Sequence, residues 1–219
     1  MLASIEAAIK ELEAGKMIIV VDDENRENEG DFVMPAQNIT HQDVNYMATH
    51  GRGLICAPMS EEYAKRLELP LMVERSEDSL QTAFTVSVDA KENITTGISA
   101  KDRSHTLQLL ANKETKASSL SRPGHIFPLI AKDRGVMVRE GHTEAAVDLA
   151  KLSGHTPVGV ICEILDVDGS AARLPYLIKF AKKHKLLIIS IEDLVDFKMR
   201  HQIDPKDLYA GFGREFNIR

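Results

Sequence analysis

The apolar run at residues 17–21 constrains the fold most, because it is rich in β-branched residues and is followed at once by a dense group of acids. A run of this length and composition is typical of a buried strand. Residues 22–31 then carry six carboxylates in ten positions, relieved only by Arg26. In an α/β fold, this order places the acids beyond the carboxyl end of a strand, where such folds usually carry their chemistry.

The acids themselves have two interpretations. If the chain stays extended through residues 22–31, Glu27, Glu29 and Asp31 lie on one face, because side chains alternate along a strand. Three adjacent carboxylates repel one another, and a hard cation, a bound polyol or an arginine must then compensate their charge. The alternative is an acidic loop that faces water, as runs of charged residues commonly do.

A second segment predicts an anion site. The apolar run at residues 135–138 predicts a strand, and the following segment has helical spacing with His142 or Thr143 at its start. Free N–H groups and the helix dipole favour anions at such a helix start. Because Arg139 lies next to it in the sequence, the functional interpretation of this segment is a phosphate-binding pocket. Taken alone, a histidine such as His142 is more often a cap or a packed imidazole than a metal ligand.

Two further residues are candidates for proton transfer. Pro123 and Gly124 predict a turn that presents His125 before an apolar run, where a histidine acts as acid or base or is simply structural. Glu163 interrupts the almost wholly apolar strand predicted at residues 158–165. A charge in such a strand is costly unless it is paired, metal-bound or protonated, so we expect Glu163 at a strand end facing a site or on an exposed edge.

Taken together, these segments resemble the 3,4-dihydroxy-2-butanone 4-phosphate (DHBP) synthase family. The resemblance covers nearly the whole chain. Its motifs follow one another in family order: DDENRENEGD (22–31), GRGLIC (51–56), TGISAKDR (96–103), RPGHIFP (122–128), GHTEAA (141–146), VICE (160–163) and ARLP (172–175). Asn25 stands where the family often has Asp, and Arg134 with Gly135 where a Gly-Gly pair is common, but neither is a position to which chemistry is assigned.

The resemblance implies roles for individual residues. It makes Glu27 and His142 the protein ligands of Mg²⁺, and because histidine is a softer ligand than oxygen, Mn²⁺ should substitute. It makes His125 and Glu163 the catalytic pair. The implied substrate contacts are Arg26, Glu27, Asp31, Arg139, Gly141, His142, Thr143 and Glu163. The residues implied to support the pocket or contact the substrate are Glu29, Thr96 and Asp102. Cys56 either lines the pocket or serves as a small buried apolar residue.

The implied reaction is that of a carbon–carbon lyase in riboflavin biosynthesis. It converts D-ribulose 5-phosphate to L-3,4-dihydroxy-2-butanone 4-phosphate and formate, through a metal-chelated enediolate, dehydration, skeletal rearrangement and loss of C4. The nearest alternative is another Mg²⁺-dependent sugar-phosphate isomerase or aldolase, which would release no formate. A non-catalytic metal- or phosphate-binding module is a further alternative, but it predicts erosion of the catalytic acids or histidines, and none is visible.

Length and composition predict one domain at residues 1–201 and a tail at residues 202–219. The alternation of helix-like and strand-like segments predicts that this domain is α/β (α+β), with a mixed sheet flanked by helices. Predicted helices are 2–14, 41–50, 60–68, 102–112, 143–152, 172–185 and 190–201. Predicted strands are 17–21, 53–57, 83–88, 126–130, 135–138, 158–165 and 186–190.

The same data limit partners and location. A net charge of −6 argues against nucleic acid as a partner, since binding a polyanion requires a clustered basic surface. We expect a cytoplasmic protein without a membrane span, because no apolar stretch approaches the roughly 20 residues required and the start lacks a signal-peptide pattern. Cys56 and Cys162 have no CxxC spacing and are expected to be reduced thiols. The family resemblance further implies a homodimer with pockets near its interface.

Overall fold

The computed structural model describes residues 2–203. The predicted tail at residues 202–219 therefore lies outside the described residues from position 204 onward, and the domain boundary stays a prediction. No helix within the described range combines the length and the apolar character needed to cross a membrane.

The helices and strands alternate along most of the chain. The helices are α1 (Ile5–Glu13), α2 (His41–Tyr46), α3 (Glu61–Arg66), α4 (Ala100–Ala111), α5 (His142–Leu152), α6 (Leu174–His184) and α7 (Ile191–Arg200). The strands are β1 (Ile18–Val21), β2 (Gly30–Pro35), β3 (Cys56–Met59), β4 (Val88–Ala90), β5 (Leu120–Ile130), β6 (Gly159–Glu163) and β7 (Ile188–Ser190).

Within the described residues, the strands form one seven-stranded sheet in the order β4-β5-β3-β6-β2-β1-β7. The sheet is mixed: β1 is parallel to β7 and β3 to β5, whereas β2 is antiparallel to both β1 and β6. The predicted α/β class with a mixed sheet is confirmed. Its interior strands β1 and β2 are buried along their whole length, as expected for strands covered on both faces.

Local sequence signals start several helices. The side chains of Ser4, Thr40, Ser60, Ser99 and Ser190 each accept a backbone N–H from the first turn of the helix that follows. Helix α5 differs, because its N-cap is Gly141, which has no side chain to satisfy the first N–H groups. All residues of α5 are buried, and the helix packs against β2, β3 and β6. This packing places the start of α5 at the edge of the sheet where β6 ends and β2 begins.

Two predicted strands are wrong. The segment predicted as a strand at residues 135–138 instead contains a short 3-10 helix, Gly135–Met137, because Arg134 at φ 72° and Gly135 at φ 61° take the left-handed conformation, which an extended chain cannot contain. The predicted strand at residues 83–88 is displaced to β4, and Phe84 and Thr85 make only isolated bridges.

Two turns are also placed differently from the prediction. The prediction of an extended chain through residues 22–31 is wrong for residues 22–29, since the chain turns through Asn28 at φ 56° before β2 begins at Gly30. Conversely, Pro123 and Gly124 lie within β5 rather than in a turn. Strand β2 was missed by the sequence analysis because its short apolar run is enclosed between the acids and Pro35.

Candidate active site

Three strands and one helix meet at the edge of the sheet where the acidic loop lies. Asp31, near the start of β2, lies directly opposite Glu163 at the end of β6, and β1 ends beside them. Helix α5 begins at the same edge. A cavity of about 220 Å³ opens there. Its lining residues are Arg26, Glu27, Asp31, Cys56, Asp78, Thr82, Phe84, Leu129, Arg139, His142, Thr143, Ile161 and Glu163.

The acidic loop is built around Asp22. Its side chain is fully buried, and its Oδ2 accepts the Nη1 group of Arg26 and the backbone N–H of Glu27, both at 3.0 Å. Its Oδ1 accepts the backbone N–H of Glu29 at 2.8 Å. These bonds hold the loop as a turn and leave the Glu27 carboxylate beside the Arg26 guanidinium, with which it forms an ion pair.

A candidate metal site lies in this turn. Ligand atoms of Asp22, Glu27 and His142 all lie within 4.8 Å of one another. The Nε2 of His142 lies 3.2 Å from the carbonyl oxygen of Val20, which can only accept, so Nε2 carries the proton and Nδ1 keeps its lone pair. Burial lowers the pKa of His142 and favours the neutral form that metal binding requires. Sequence analysis did not single out Asp22, although its place directly after β1 is a usable signal.

The surrounding charges favour a cation. Among the described residues, the buried Oδ1 of Asp31 has no hydrogen-bond partner, and it lies 3.9 Å from Nε2 of His142. Burial, and then the nearby charges of Glu163 and Glu27, raise the pKa of Asp31 well above its usual value. Burial likewise raises the pKa of Glu163, whose Oε2 accepts the backbone N–H of Leu54 at 2.7 Å. Oxygen donors with an unsatisfied buried atom fit a hard divalent ion such as Mg²⁺.

The start of α5 is flanked by two guanidinium groups. A Cβ atom added to Gly141 would lie 2.3 Å from Nη1 of Arg139 and 2.9 Å from Nη2 of Arg26. Arg139 is held in place because its Nη1 donates to Glu144 at 2.6 Å and its Nη2 to Thr82 at 3.1 Å. Free helix N–H groups between two arginines provide the chemistry of an oxyanion site.

The structure brings together most, though not all, of the predicted site residues. The predicted residues that line the cavity are Arg26, Glu27, Asp31, Cys56, Arg139, His142, Thr143 and Glu163. Burial raises the pKa of the Cys56 thiol, so Cys56 contributes a neutral wall rather than a nucleophile. The lining residues that sequence analysis missed are Asp78, Thr82, Phe84, Leu129 and Ile161, and no local pattern marked them.

The remaining predicted residues lie outside the cavity lining. They are Glu29, Thr96, Asp102, His125 and Gly141. Burial and the charge of Glu27 raise the pKa of Glu29, so it belongs electrostatically to the acidic loop. Asp102 is buried and its Oδ2 accepts the Thr95 hydroxyl at 2.7 Å and the Gly97 N–H at 3.1 Å, which fixes the loop before α4.

His125 is therefore not beside Glu163 within this chain. It lies on β5, its side chain is 41% exposed, and its Nδ1 lies 2.7 Å from Oδ2 of Asp89. The pair that the resemblance predicts as catalytic is thus divided between the cavity and a surface outside it.

The chain is similar in sequence to proteins of one known family. Residues 6–197 match the family profile described as 3,4-dihydroxy-2-butanone 4-phosphate synthase. Among curated relatives, the riboflavin biosynthesis protein RibBA of Bacillus subtilis is 58% identical over 194 residues, which are 89% of this chain and 48% of that protein. RibBA of Bacillus mycoides is 56% identical over 198 residues, 90% of this chain and 50% of that protein. The chain thus spans about half the length of these relatives.

Solved structures show the same likeness. A 3,4-dihydroxy-2-butanone 4-phosphate synthase in complex with two magnesium ions matches with a TM-score of 0.86 and 39% identity, covering 92% of this chain and 99% of that one. RibBX of A. baumannii, a two-domain synthase of the same name, matches with a TM-score of 0.87 and 46% identity, covering 90% of this chain and 58% of that one. The profile match and these identities establish that the chain belongs to the DHBP synthase family.

Proposed function

We propose that this chain converts D-ribulose 5-phosphate to L-3,4-dihydroxy-2-butanone 4-phosphate and formate, as a carbon–carbon lyase of riboflavin biosynthesis. The observation that carries the proposal is one cavity, which is lined both by Glu27 and His142 of the candidate metal cluster and by Arg26 and Arg139, which flank the start of α5. A cation site beside an oxyanion site suits a sugar phosphate that has oxygens at one end and a phosphate at the other.

The cation in this proposal is Mg²⁺, held by Glu27 and His142, with Asp22 as the third member of the cluster. A family structure in complex with magnesium ions supports the choice. When bound, the ion supplies positive charge that acidifies protons next to the sugar carbonyl. Mn²⁺ is expected to substitute, because an imidazole nitrogen suits it at least as well.

The protein's own groups orient the sugar and move protons. Arg139 and the free N–H groups of His142 and Thr143 hold the phosphate at the start of α5, close to Gly141, and Arg26 reaches the same place. The Gly141 N–H itself donates to the carbonyl oxygen of Arg139 at 2.8 Å. Asp31 and Glu163 face the sugar from β2 and β6. Because burial raises the pKa of Glu163, its carboxyl group can hold and return a proton closer to neutral pH than an exposed glutamate can.

Because His125 does not line the cavity of its own chain, we propose a homodimer in which His125 of each subunit completes the cavity of the other. Two exposed apolar residues support it: Leu54 at 41% exposure, whose backbone contacts Glu163, and Ile98 at 53%, next to the loop that contacts His125. In a two-fold dimer, the cavity rim of each subunit meets the His125 surface of the other. We place this dimer in the cytoplasm, since both cysteines are free thiols.

The reaction is tested by incubating the chain with ribulose 5-phosphate labelled with ¹³C at C4, with Mg²⁺ or with EDTA. The ¹³C NMR signal of formate is expected only with Mg²⁺. Consumption of the substrate without labelled formate would indicate an isomerase or aldolase. Absence of turnover under both conditions would indicate a binding module.

The shared site is tested by complementation. Glu163→Gln and His125→Gln are each expected to abolish formate release, yet a mixture refolded or co-expressed together should regain about a quarter of wild-type activity. This fraction follows because half of the dimers are mixed and each carries one intact site. If both residues act within one chain, no activity returns, and the dimeric site is rejected.

A further inference from the structure

We propose that Asp89 is a positioning residue for His125, which it holds so that Nε2 is the atom that exchanges protons with the sugar. The proposal rests on the proposed function, and it adds a residue that neither the sequence motifs nor the cavity lining points to. Asp89 lies in β4, and His125 lies beside it in β5.

The carboxylate of Asp89 contacts His125 at two points. Its Oδ2 lies 2.7 Å from the ring Nδ1, and its Oδ1 accepts the backbone N–H of His125 at 2.9 Å. The Asp89 side chain is only 8% exposed, whereas the imidazole is 41% exposed. The acid is thus buried behind the ring, and the opposite side of the ring is accessible.

This arrangement selects one tautomer. A carboxylate accepts hydrogen bonds, so the proton of the neutral imidazole lies on Nδ1 and the lone pair on Nε2. Within the described residues, Nε2 has no hydrogen-bond partner. Orientation of an imidazole by an acid at its other nitrogen is a general way to prepare a proton acceptor, because the ring neither rotates nor changes tautomer before the reaction.

The pairing of β4 with β5 is shaped to present His125. Val88 pairs with Ile126, but the next residue, Asp89, pairs with Ser121, so the register passes over residues 122–125. The Gly124 N–H donates to Ser87 Oγ at 3.1 Å. A Cβ atom at Gly124 would lie 2.0 Å from the carbonyl carbon of Val88, which only a glycine avoids.

A second glycine closes the back of the pair. A Cβ atom at Gly97 would lie 2.1 Å from Oδ2 of Asp89 and 2.7 Å from Nδ1 of His125. Gly97 also has φ +92°, which side-chain-bearing residues rarely adopt. Asp102 fixes this glycine by accepting its N–H at 3.1 Å. The segment at residues 96–102 therefore supports His125 and Asp89, rather than the cavity wall that contains Glu163.

The test is Asp89→Asn in the full chain. The amide keeps the size of the side chain and can still accept the backbone N–H, but its NH₂ group then faces Nδ1 and favours the Nε2–H tautomer. We expect kcat for formate release to fall by about 10²- to 10⁴-fold, as when a histidine loses the acid that fixes its tautomer. KM and the Kd for Mg²⁺ should stay within about threefold, because Asp89 touches neither the cavity nor the metal cluster.

A spectroscopic measurement separates this role from a structural one. The ¹⁵N chemical shifts of the imidazoles, with His125 assigned from the His125→Gln spectrum, should show the Nδ1–H form in the wild type and the Nε2–H form in Asp89→Asn. The Nε2–H form in the wild type would overturn the proposal. So would unchanged kcat in a folded Asp89→Asn variant.

Matched glycine variants control for backbone strain. Gly97→Ala inserts a methyl group between Asp89 and His125, whereas Gly169→Ala imposes the same strain at φ +88° with no atom within 4 Å. Only Gly97→Ala should lower kcat and alter the His125 signals. Equal losses of kcat in both would overturn the proposal. If the wild type releases no formate, the proposed function fails, while the tautomer measurement still decides whether Asp89 fixes the ring.

Discussion

Asp31 and Glu163 are direct neighbours across β2 and β6, so a buried acid and a half-buried acid share the edge of the sheet at which the cavity opens. Burial raises the pKa of both carboxyl groups, and the charge of Glu163 raises that of Asp31 further. Like charges that face each other on adjacent strands destabilise a sheet. The two carboxylates at this edge of the sheet therefore favour binding of a cation, and they lower the stability of the folded protein when no cation is bound.

We expect Asp31→Asn to raise the thermal midpoint of the metal-free protein at pH 8 by several degrees, because it removes one buried charge from the pair. Mg²⁺ should stabilise the wild type more than the variant, because the variant has less repulsion between carboxylates for the cation to neutralise. Differential scanning calorimetry in EDTA and in Mg²⁺ measures both effects. Asp133→Asn removes an exposed acid and is the control. A lower midpoint for Asp31→Asn in EDTA would contradict this account.

Metal affinity should depend on Glu27 and on Asp22, for different reasons. Glu27→Gln removes a proposed ligand. Asp22→Asn weakens the hydrogen bonds that shape the loop and also removes an acid from the cluster. Isothermal titration calorimetry should show the Kd for Mg²⁺ rising by about 10- to 100-fold in each variant. Glu24→Gln, in the same loop but exposed, should bind as the wild type does. Equal affinities of Glu24→Gln and Glu27→Gln would exclude Glu27 as a ligand.

Gly141→Ala should weaken phosphate binding without unfolding the protein. The added methyl group would displace the ends of the Arg139 and Arg26 side chains, while the backbone at φ −112° accepts alanine. We expect KM for ribulose 5-phosphate and the inhibition constant of inorganic phosphate to rise about tenfold. The exposed neighbour provides the control variant Glu140→Ala. If only kcat changes, the phosphate does not bind at this helix start.

Lys151 provides a pH-dependent contribution to stability that is remote from the chemistry. Burial lowers its pKa from 10.5 to about 7, although Asp148 opposes the shift. The folded protein therefore binds fewer protons here than the unfolded chain does. The contribution of Lys151 to the free energy of unfolding is therefore highest above pH 10.5, where Lys151 is neutral in both states. It falls as the pH decreases from 10.5 to about 7, and below about 7 this loss is constant.

The variant Lys151→Met removes this titration. Its thermal midpoint should equal that of the wild type near pH 10.5 and exceed it increasingly down to about pH 7, below which the difference is constant. Lys185→Met, at an exposed end of α6, should show no such trend. A difference that grows with rising pH instead would show that Lys151 is charged and paired in the folded state.

The sequence by itself determined the α/β class, because apolar periodicity reports which residues must be buried whatever they pack against. It also indicated the acids after β1 and the start of α5, since caps, dipoles and charge density are local properties. The same local signals misled at residues 135–138, where two left-handed residues replace a strand by a turn. They likewise gave no sign that β2 emerges from the acidic loop.

Tertiary structure alone decided which acids meet. Asp31 faces Glu163 because β2 and β6 pair in one register, and Asp22 joins Glu27 and His142 because partly buried hydrogen bonds to Asp22 turn the loop back on itself. His125 lies with Asp89 rather than with Glu163 because β5 lies two strands from β6, next to β4. Strand order and register depend on contacts between residues far apart in the chain, and no local pattern of side chains encodes them.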